Sequence, residues 1–137
     1  AAFMVEPIQG EAGVIIPADG YLKKVQDLCF ENNVLLICDE IQCGLGRCGK
    51  LLACYYDDVQ PDILILGKAL SGGLMPISAV LADDHLMLTL ASGTHGSTFG
   101  GNPLAAAIAI ASLEVIIEED LSKNAMKLGE IFRKELT

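Results

Sequence analysis

Three short apolar runs constrain the fold of this chain more than any other feature of its sequence. They lie at Ala2–Val5, 34–38 and Ile63–Leu66, and a weaker run lies at 77–81. Runs of four or five residues that are apolar on both faces and partly β-branched are typical of central strands in a parallel sheet. We therefore predict an α/β fold with a mostly parallel sheet.

Helical patterns separate and follow these runs. Residues 21–33 carry apolar side chains at three- and four-residue spacing, and Asp19 is placed to cap that helix. From Pro103 to about residue 119 the chain is rich in alanine and isoleucine and is predicted to be helical. A second, more polar helix should follow to the end of the chain, with Asp120 or Ser122 as its cap.

Ionisable residues stand where the apolar runs end. Glu6, Asp39 and Lys68 each follow a different predicted strand, and in an open α/β sheet the carboxyl ends of the strands border the ligand crevice. Charged residues often follow strands because loops are solvated, which explains Glu6 well. Lys68 is the only lysine or arginine between Lys50 and Lys123 and lies among small and apolar residues. We expect this setting to desolvate its amine and make it a nucleophile or base, as Schiff-base chemistry requires.

A lysine of this kind beside an acidic residue suggests pyridoxal phosphate (PLP). The ring nitrogen of PLP must stay protonated for the ring to act as an electron sink, and a carboxylate such as Asp39 can keep it so. The loop at 96–103 offers hydroxyls, glycine amides and the start of a helix as a cradle for the phosphate. On its own this loop would favour an ordinary tight turn capped by serine or threonine, and only Lys68 and Asp39 make a phosphate cradle the better interpretation.

Composition excludes several other classes of function. Eighteen acidic residues against nine basic ones give a net charge of −9, which argues against a nucleic-acid partner. No apolar run approaches ~18 residues, so no membrane-spanning helix is expected. The five cysteines form no pattern that binds zinc, and we expect no metal site but reduced thiols in an intracellular compartment.

The sequence resembles the class III PLP-dependent aminotransferases over essentially its whole length. The segments that carry the resemblance are VEPIQGEAG at 5–13, DEIQ at 39–42, PDI at 61–63, LGKALSGG at 66–73, HGST at 95–98 and GGNP at 100–103. The resemblance implies part of the large domain of a type I PLP-dependent transferase, which has the aspartate aminotransferase-like fold.

The same resemblance implies roles for individual residues at the cofactor. Lys68 would form the Schiff base with PLP and later move the proton between substrate and cofactor. Asp39 would pair with the ring nitrogen, Ile41 would pack on one face of the ring, and Gln42 would hydrogen-bond its phenolic oxygen.

Two further assignments concern the neighbouring subunit and the substrate. Ser97 and Thr98 match a loop that reaches the cofactor phosphate of the partner subunit, which implies a homodimer with a shared active site or a larger oligomer built from it. Glu11 matches a glutamate that gates the site by pairing with an arginine that binds the substrate carboxylate.

Within the family the resemblance favours the members that act on ornithine. It implies transfer of the δ-amino group of L-ornithine to 2-oxoglutarate, which gives glutamate 5-semialdehyde and glutamate. Acetylornithine and 4-aminobutyrate remain alternative amino donors. A non-enzymatic alternative is a truncated, catalytically inert module that binds a partner.

The organisation of the chain is expected to follow that family. Residues 1–102 would belong to the PLP-binding large domain, and residues 103–137 would form helices that lead towards a small C-terminal domain. The chain begins inside an apolar stretch and ends inside a helical pattern, so we expect it to be a piece of a longer protein. The mitochondrial matrix and the cytoplasm are the two compartments considered.

Overall fold

A computed structural model describes all 137 residues and contains one four-stranded sheet of order β1-β2-β3-β4. The strands are β1 (Ala2–Val5), β2 (Leu35–Asp39), β3 (Ile63–Leu66) and β4 (Ala79–Ala82). The first three are parallel and β4 pairs with β3 in the antiparallel direction. The predicted α/β fold with a mostly parallel sheet is therefore confirmed. The predicted bounds of β1 and β3 match, whereas β2 and β4 are each displaced towards the C-terminus.

The displacement of β2 brings a predicted site residue into the sheet. Asp39 is the last residue of β2 and pairs with Ile65 of β3, where we expected it to follow the strand. The ladder extends one residue further, because the backbone N–H of Glu40 donates to the carbonyl oxygen of Ile65 at 2.9 Å. The backbone at Asp39 and at the following residue is thus held against β3.

Helix α1 (Tyr21–Glu31) connects β1 to β2, and its predicted cap is wrong. The residue before the helix is Gly20, in a left-handed conformation, so Asp19 lies one position too early to cap it. The carboxylate of Asp57 does so from a distant part of the chain. It accepts the backbone N–H of Gly20 at 3.0 Å and that of Leu22 at 2.9 Å.

Three more helices follow: α2 (Asp84–Met87), α3 (Pro103–Glu118) and α4 (Leu121–Leu136). Asn102 caps α3 by accepting the backbone N–H of Ala105 at 2.8 Å. Asp120 is the N-cap residue of α4, as predicted, but its φ is a left-handed 49° and its side chain accepts no hydrogen bond from the helix, whereas Ser122 lies inside the helix. The side chain of Asp120 lies 3.6 Å from the ammonium of Lys123 instead. None of the helices combines the length and the apolar content needed to cross a membrane.

The buried core contains β2, β3, α1 and one side of α3. Its members include three cysteines, and Cys38 and Cys54 are both 0% exposed. A free thiol in such a core packs as a small apolar residue. All five cysteines are free.

A buried carboxylate organises the turn that follows β2. Glu40 is 1% exposed, and its two oxygens accept the backbone N–H groups of Ala53 at 2.9 Å and Cys54 at 2.7 Å. Its backbone carbonyl also accepts the N–H of Gly44 at 2.9 Å. The residues between Glu40 and Cys54 are therefore closed into a loop by one side chain, and this loop contains Ile41 and Gln42.

The same carboxylate influences the thiols around it. The thiol of Cys43 donates to Glu40 Oε2 at 3.4 Å, and burial together with the charge of Glu40 raises the pKa of Cys43 to about 12. Burial and Glu40 also raise the pKa of Cys48. The pKa of Cys54 is raised by its hydrogen bond with Cys38, by burial and by Glu40. These thiols therefore stay protonated near neutral pH.

Mutation can test whether Asp57, and not Asp19, caps helix α1. We expect Asp57→Ala to lower the free energy of unfolding by ~1–2 kcal/mol, because the first turn of α1 loses its acceptor. Asp19→Ala is the matched control and should stay within about 0.5 kcal/mol of the parent protein. Urea denaturation measures both, and equal losses in the two variants would contradict the assignment.

The raised pKa of Cys43 predicts a pH dependence. The ordinary thiol pKa is 9.0 and the native value is about 12, so the native state retains a proton that the unfolded chain loses. This contribution to stability is present below pH 9 and is lost as the pH rises towards 12.

Alkylation by iodoacetamide, followed by peptide mass spectrometry, measures this effect. In the native protein the rate at Cys43 should keep rising with pH beyond 10, because thiolate continues to form. In urea the rate should level off above the ordinary thiol pKa. A native rate that levels off there too would refute the raised pKa.

Candidate functional site

Lys68 stands on a strained turn immediately after β3. It begins the 3₁₀ turn Lys68–Ser71 and has a φ of +41°, which lies in the left-handed region that favours glycine. A non-glycine residue held there costs of the order of 1–3 kcal/mol, and such residues cluster at functional sites. Five other non-glycine residues, among them Asp120, also have a positive φ, so this conformation does not by itself single out Lys68.

The expectation that its surroundings desolvate Lys68 is wrong for this chain. The side chain is exposed, and so are Gly72 and Gly73, which we expected to pack beside it. The reason is geometric: the Lys68 side chain borders two open cavities. Small residues near a lysine in sequence therefore do not enclose its amine.

Asp39 offers a carboxylate with one oxygen engaged and one available. Its Oδ1 accepts the backbone N–H of Ile41 at 3.0 Å, which fixes the side chain, and its Oδ2 has no hydrogen bond within the chain. The residue is half-buried. A fixed carboxylate with a free oxygen can accept a hydrogen bond from a protonated ring nitrogen.

Ile41 and Gln42 each lie against a glycine. A methyl group built on Gly67 would come within 3.2 Å of Ile41 Cγ2, so the Ile41 side chain lies over the residue that precedes Lys68. A methyl group built on Gly10 would overlap the amide of Gln42. The other end of that amide, Nε2, lies 3.5 Å from Glu11 Oε1. The structure thus brings together Gln42 and Glu11, two residues that the sequence suggested for different roles.

Two cavities meet at Lys68. The larger has a volume of about 1290 Å³ and is bordered by Lys68, Gln42, Arg47, Ser71 and the apolar side of α3. The smaller has a volume of about 610 Å³ and contains Lys68, Ser71 and Ser97 in its lining. Asp39 and Ile41 line neither cavity.

The predicted phosphate loop is fully exposed. Ser97 accepts the backbone N–H of Gly100 at 3.0 Å and shares the smaller cavity with Lys68, whereas Thr98 lines neither cavity. Both side chains are exposed. Their predicted role towards a neighbouring subunit stays a prediction, because the structure contains one chain.

The donor set fits PLP. Lys68 supplies an exposed primary amine, Asp39 a fixed carboxylate, and Gln42 an amide at the border of the cavity that Lys68 shares. Gln42 Nε2 has one long contact within the chain, 3.5 Å to Glu11 Oε1, so this amide N–H retains donor capacity towards the cofactor. No group of three or more histidine, cysteine or acidic side chains is placed to bind a metal ion.

Sequence reasoning missed three residues that shape this site. Ser71 is buried and borders both cavities, and its hydroxyl accepts the backbone N–H of Gly73 at 3.3 Å. Glu40 closes the loop that holds Gln42, and Gly10 leaves the space in which the Gln42 amide lies. The sequence did contain a signal for Glu40. Side chains alternate between the two faces of a strand, so of the adjacent acids Asp39 and Glu40 only one can face the proposed cofactor site.

Comparison with known proteins assigns the family. The sequence model described as "Aminotransferase class-III" matches residues 1–137. The chain is 66% identical over 136 residues to the mitochondrial ornithine aminotransferase of Drosophila ananassae and 64% identical to that of Rattus norvegicus. Each alignment covers 99% of this chain but only 32% and 31% of the relative, so the chain spans about a third of the length of the relatives it matches.

Solved structures show the same relationship. An ornithine aminotransferase from Toxoplasma gondii, in which PLP partially occupies the active site, superposes with a TM-score of 0.97 at 58% identity. An acetylornithine aminotransferase from Elizabethkingia anophelis superposes with a TM-score of 0.96 at 61% identity. Each covers 99% of this chain, and the chain covers 32% and 34% of them. The sequence, the sheet and these neighbours agree, and the chain belongs to the class III aminotransferases.

Proposed function

We propose that the whole protein is a PLP-dependent aminotransferase that moves the δ-amino group of L-ornithine to 2-oxoglutarate. The products are glutamate 5-semialdehyde and glutamate. The observation that carries the proposal is the placement of Asp39 and Lys68 at the same edge of the sheet, at the ends of the adjacent parallel strands β2 and β3. The high identity to ornithine aminotransferases supports the choice of substrate.

Four residues of this chain would hold the cofactor. Lys68 would bind it covalently through Nζ, and the free Oδ2 of Asp39 would accept a hydrogen bond from its protonated ring nitrogen. Ile41 would pack on the ring, and Gln42 would donate to its phenolic oxygen. When bound, PLP supplies an electron sink for the substrate carbon that loses a proton.

The amine of Lys68 would also move the proton. As a free amine, Nζ would take the proton from the substrate carbon and carry it to the cofactor. The exposure of Lys68 in this chain fits such movement, because a side chain between two cavities can reach either.

Glu11 would control the choice between substrates. Its carboxylate is exposed and contacts the Gln42 amide, which places it within reach of the proposed cofactor position. We propose that it pairs with an arginine outside this chain and so masks or exposes a site for the substrate carboxylate. An amino acid that reacts through its ω-amine and one that reacts through its α-amine could then use the same pocket.

A second substrate has a specific observation in its favour. The structure from Elizabethkingia anophelis is an acetylornithine aminotransferase, and at 61% its identity to this chain exceeds the 58% of the Toxoplasma enzyme. Acetylornithine therefore remains the alternative amino donor, followed by 4-aminobutyrate.

The remaining proposals concern the oligomer, the domains and the cellular compartment. We propose a homodimer, or a larger oligomer built from it, in which Ser97 and Thr98 reach the cofactor phosphate of the partner. Residues 1–102 would form part of the large domain and residues 103–137 the helices that lead away from it. The mitochondrial relatives support the mitochondrial matrix as the compartment, with the cytoplasm as the alternative.

The role of Lys68 has a spectroscopic test. In the whole protein, Lys68→Ala should abolish the visible absorbance of lysine-bound PLP and reduce turnover by several orders of magnitude. Lys24→Ala, on the exposed side of α1, is the matched control and should change neither. An unchanged spectrum and turnover in Lys68→Ala would refute the assignment.

The substrate has a kinetic test. A panel of ornithine, acetylornithine and 4-aminobutyrate should give the highest kcat/KM with ornithine. Glu11→Ala should lower kcat/KM for ornithine by about tenfold or more and affect glutamate less, because the unmasked arginine then favours α-carboxylates. Glu130→Ala is the matched control on α4. A preference for another donor would reassign the substrate, and equal losses for ornithine and glutamate would refute the gate.

A further inference from the structure

The amide of Gln42 is held mainly by shape. Its oxygen, Oε1, is buried without any hydrogen-bond partner, and its nitrogen has one long contact, 3.5 Å to Glu11 Oε1. An amide fixed by several hydrogen bonds resists displacement, because each bond holds it in one position. This amide has no such restraint, so the surface that it lies against decides its position.

That surface is the backbone of Gly10. A methyl group at this position would overlap the amide oxygen of Gln42 and lie 3.1 Å from its nitrogen. Gly10 has a φ outside the left-handed region, so its conformation alone would allow alanine. Position 10 therefore lacks a side chain because the Gln42 amide needs the space. The local backbone conformation does not require glycine.

Gly10 itself cannot move away from Gln42. Its N–H donates to Glu6 Oε2 at 3.1 Å, and its carbonyl accepts the N–H groups of Gly13 at 3.1 Å and Val14 at 3.2 Å. Gln42, in contrast, is the flexible end of a long side chain at the border of the larger cavity. A side chain at position 10 would thus displace the amide and leave the backbone in place.

We propose that Gly10 is a positioning residue of the cofactor site, which acts through Gln42 by providing the space in which its amide lies. The inference deepens the proposed function, since it rests on the role of Gln42 as a cofactor ligand. It also separates loss of stability from loss of cofactor binding, two effects that a single mutation often combines. A displaced flexible side chain costs little stability, so a larger residue at position 10 impairs cofactor binding in a protein that still folds.

The test is a double-mutant cycle in the whole protein with Gly10→Ala, Gln42→Ala and the double variant. PLP affinity and the pH dependence of the visible spectrum are the functional readouts. Gln42→Ala should weaken PLP binding by about tenfold or more, as expected for loss of one hydrogen bond to a charged group. Gly10→Ala should do the same, and the double variant should be no worse than Gln42→Ala alone. Gly129→Ala, on α4 near only the flexible end of Arg133, is the matched control and should have no effect.

A structural readout keeps this test independent of catalysis. In crystals of PLP-free Gly10→Ala the Gln42 amide should lie away from Glu11, and the melting temperature should stay within roughly 3 °C of the parent protein. An undisplaced amide, multiplied losses in the double variant, or no effect of Gln42→Ala would each overturn the inference. If Lys68→Ala retains turnover, the proposed function fails, while the position of the Gln42 amide still decides the inference about Gly10.

Discussion

The carboxylate of Glu40 is the interaction on which the geometry of the site depends. It is buried, and it accepts two backbone N–H groups from a segment more than ten residues further along the chain. Since a buried carboxylate without partners is strongly unfavourable, these bonds and the burial require each other. The loop that they close contains Ile41 and Gln42, and its first residue adjoins Asp39. One structural side chain thereby sets the direction of three proposed cofactor ligands.

The sheet was predictable because its strands depend on local sequence. Apolar runs of the length of β1 and β3 admit few other conformations, and the parallel order then places Asp39 and Lys68 at one edge. The helix starts were predictable from Pro103 and from the apolar spacing after Gly20. What could not be predicted depends on contacts between distant segments. Asp57 caps a helix that begins more than thirty residues earlier, and no local pattern distinguishes it from Asp58.

The site was predictable in its residue types but only partly in its environment. Lys68 was identified because no other lysine or arginine lies near it in the sequence. The exposure of its amine, however, depends on the conformation of the turn after β3. The sequence does not distinguish Glu40 from an ordinary solvated residue after a strand, although its side chain is buried. Helix α3 presents a related difficulty: it is apolar on all sides, yet this chain buries one side, and Leu104 and Ile117 are 62% and 63% exposed. Composition predicts that such a helix is an interior one, but not which surface covers each side.

The left-handed backbone of Lys68 has a consequence for engineering. A glycine would occupy that conformation without strain, so the chain would gain of the order of 1 kcal/mol by replacing the residue that its proposed chemistry needs most. A selection for thermal stability alone would therefore favour loss of the lysine, and a library screened in that way would enrich inactive protein. Stability and activity compete here at a single torsion angle, and only a screen that reports turnover would keep the lysine.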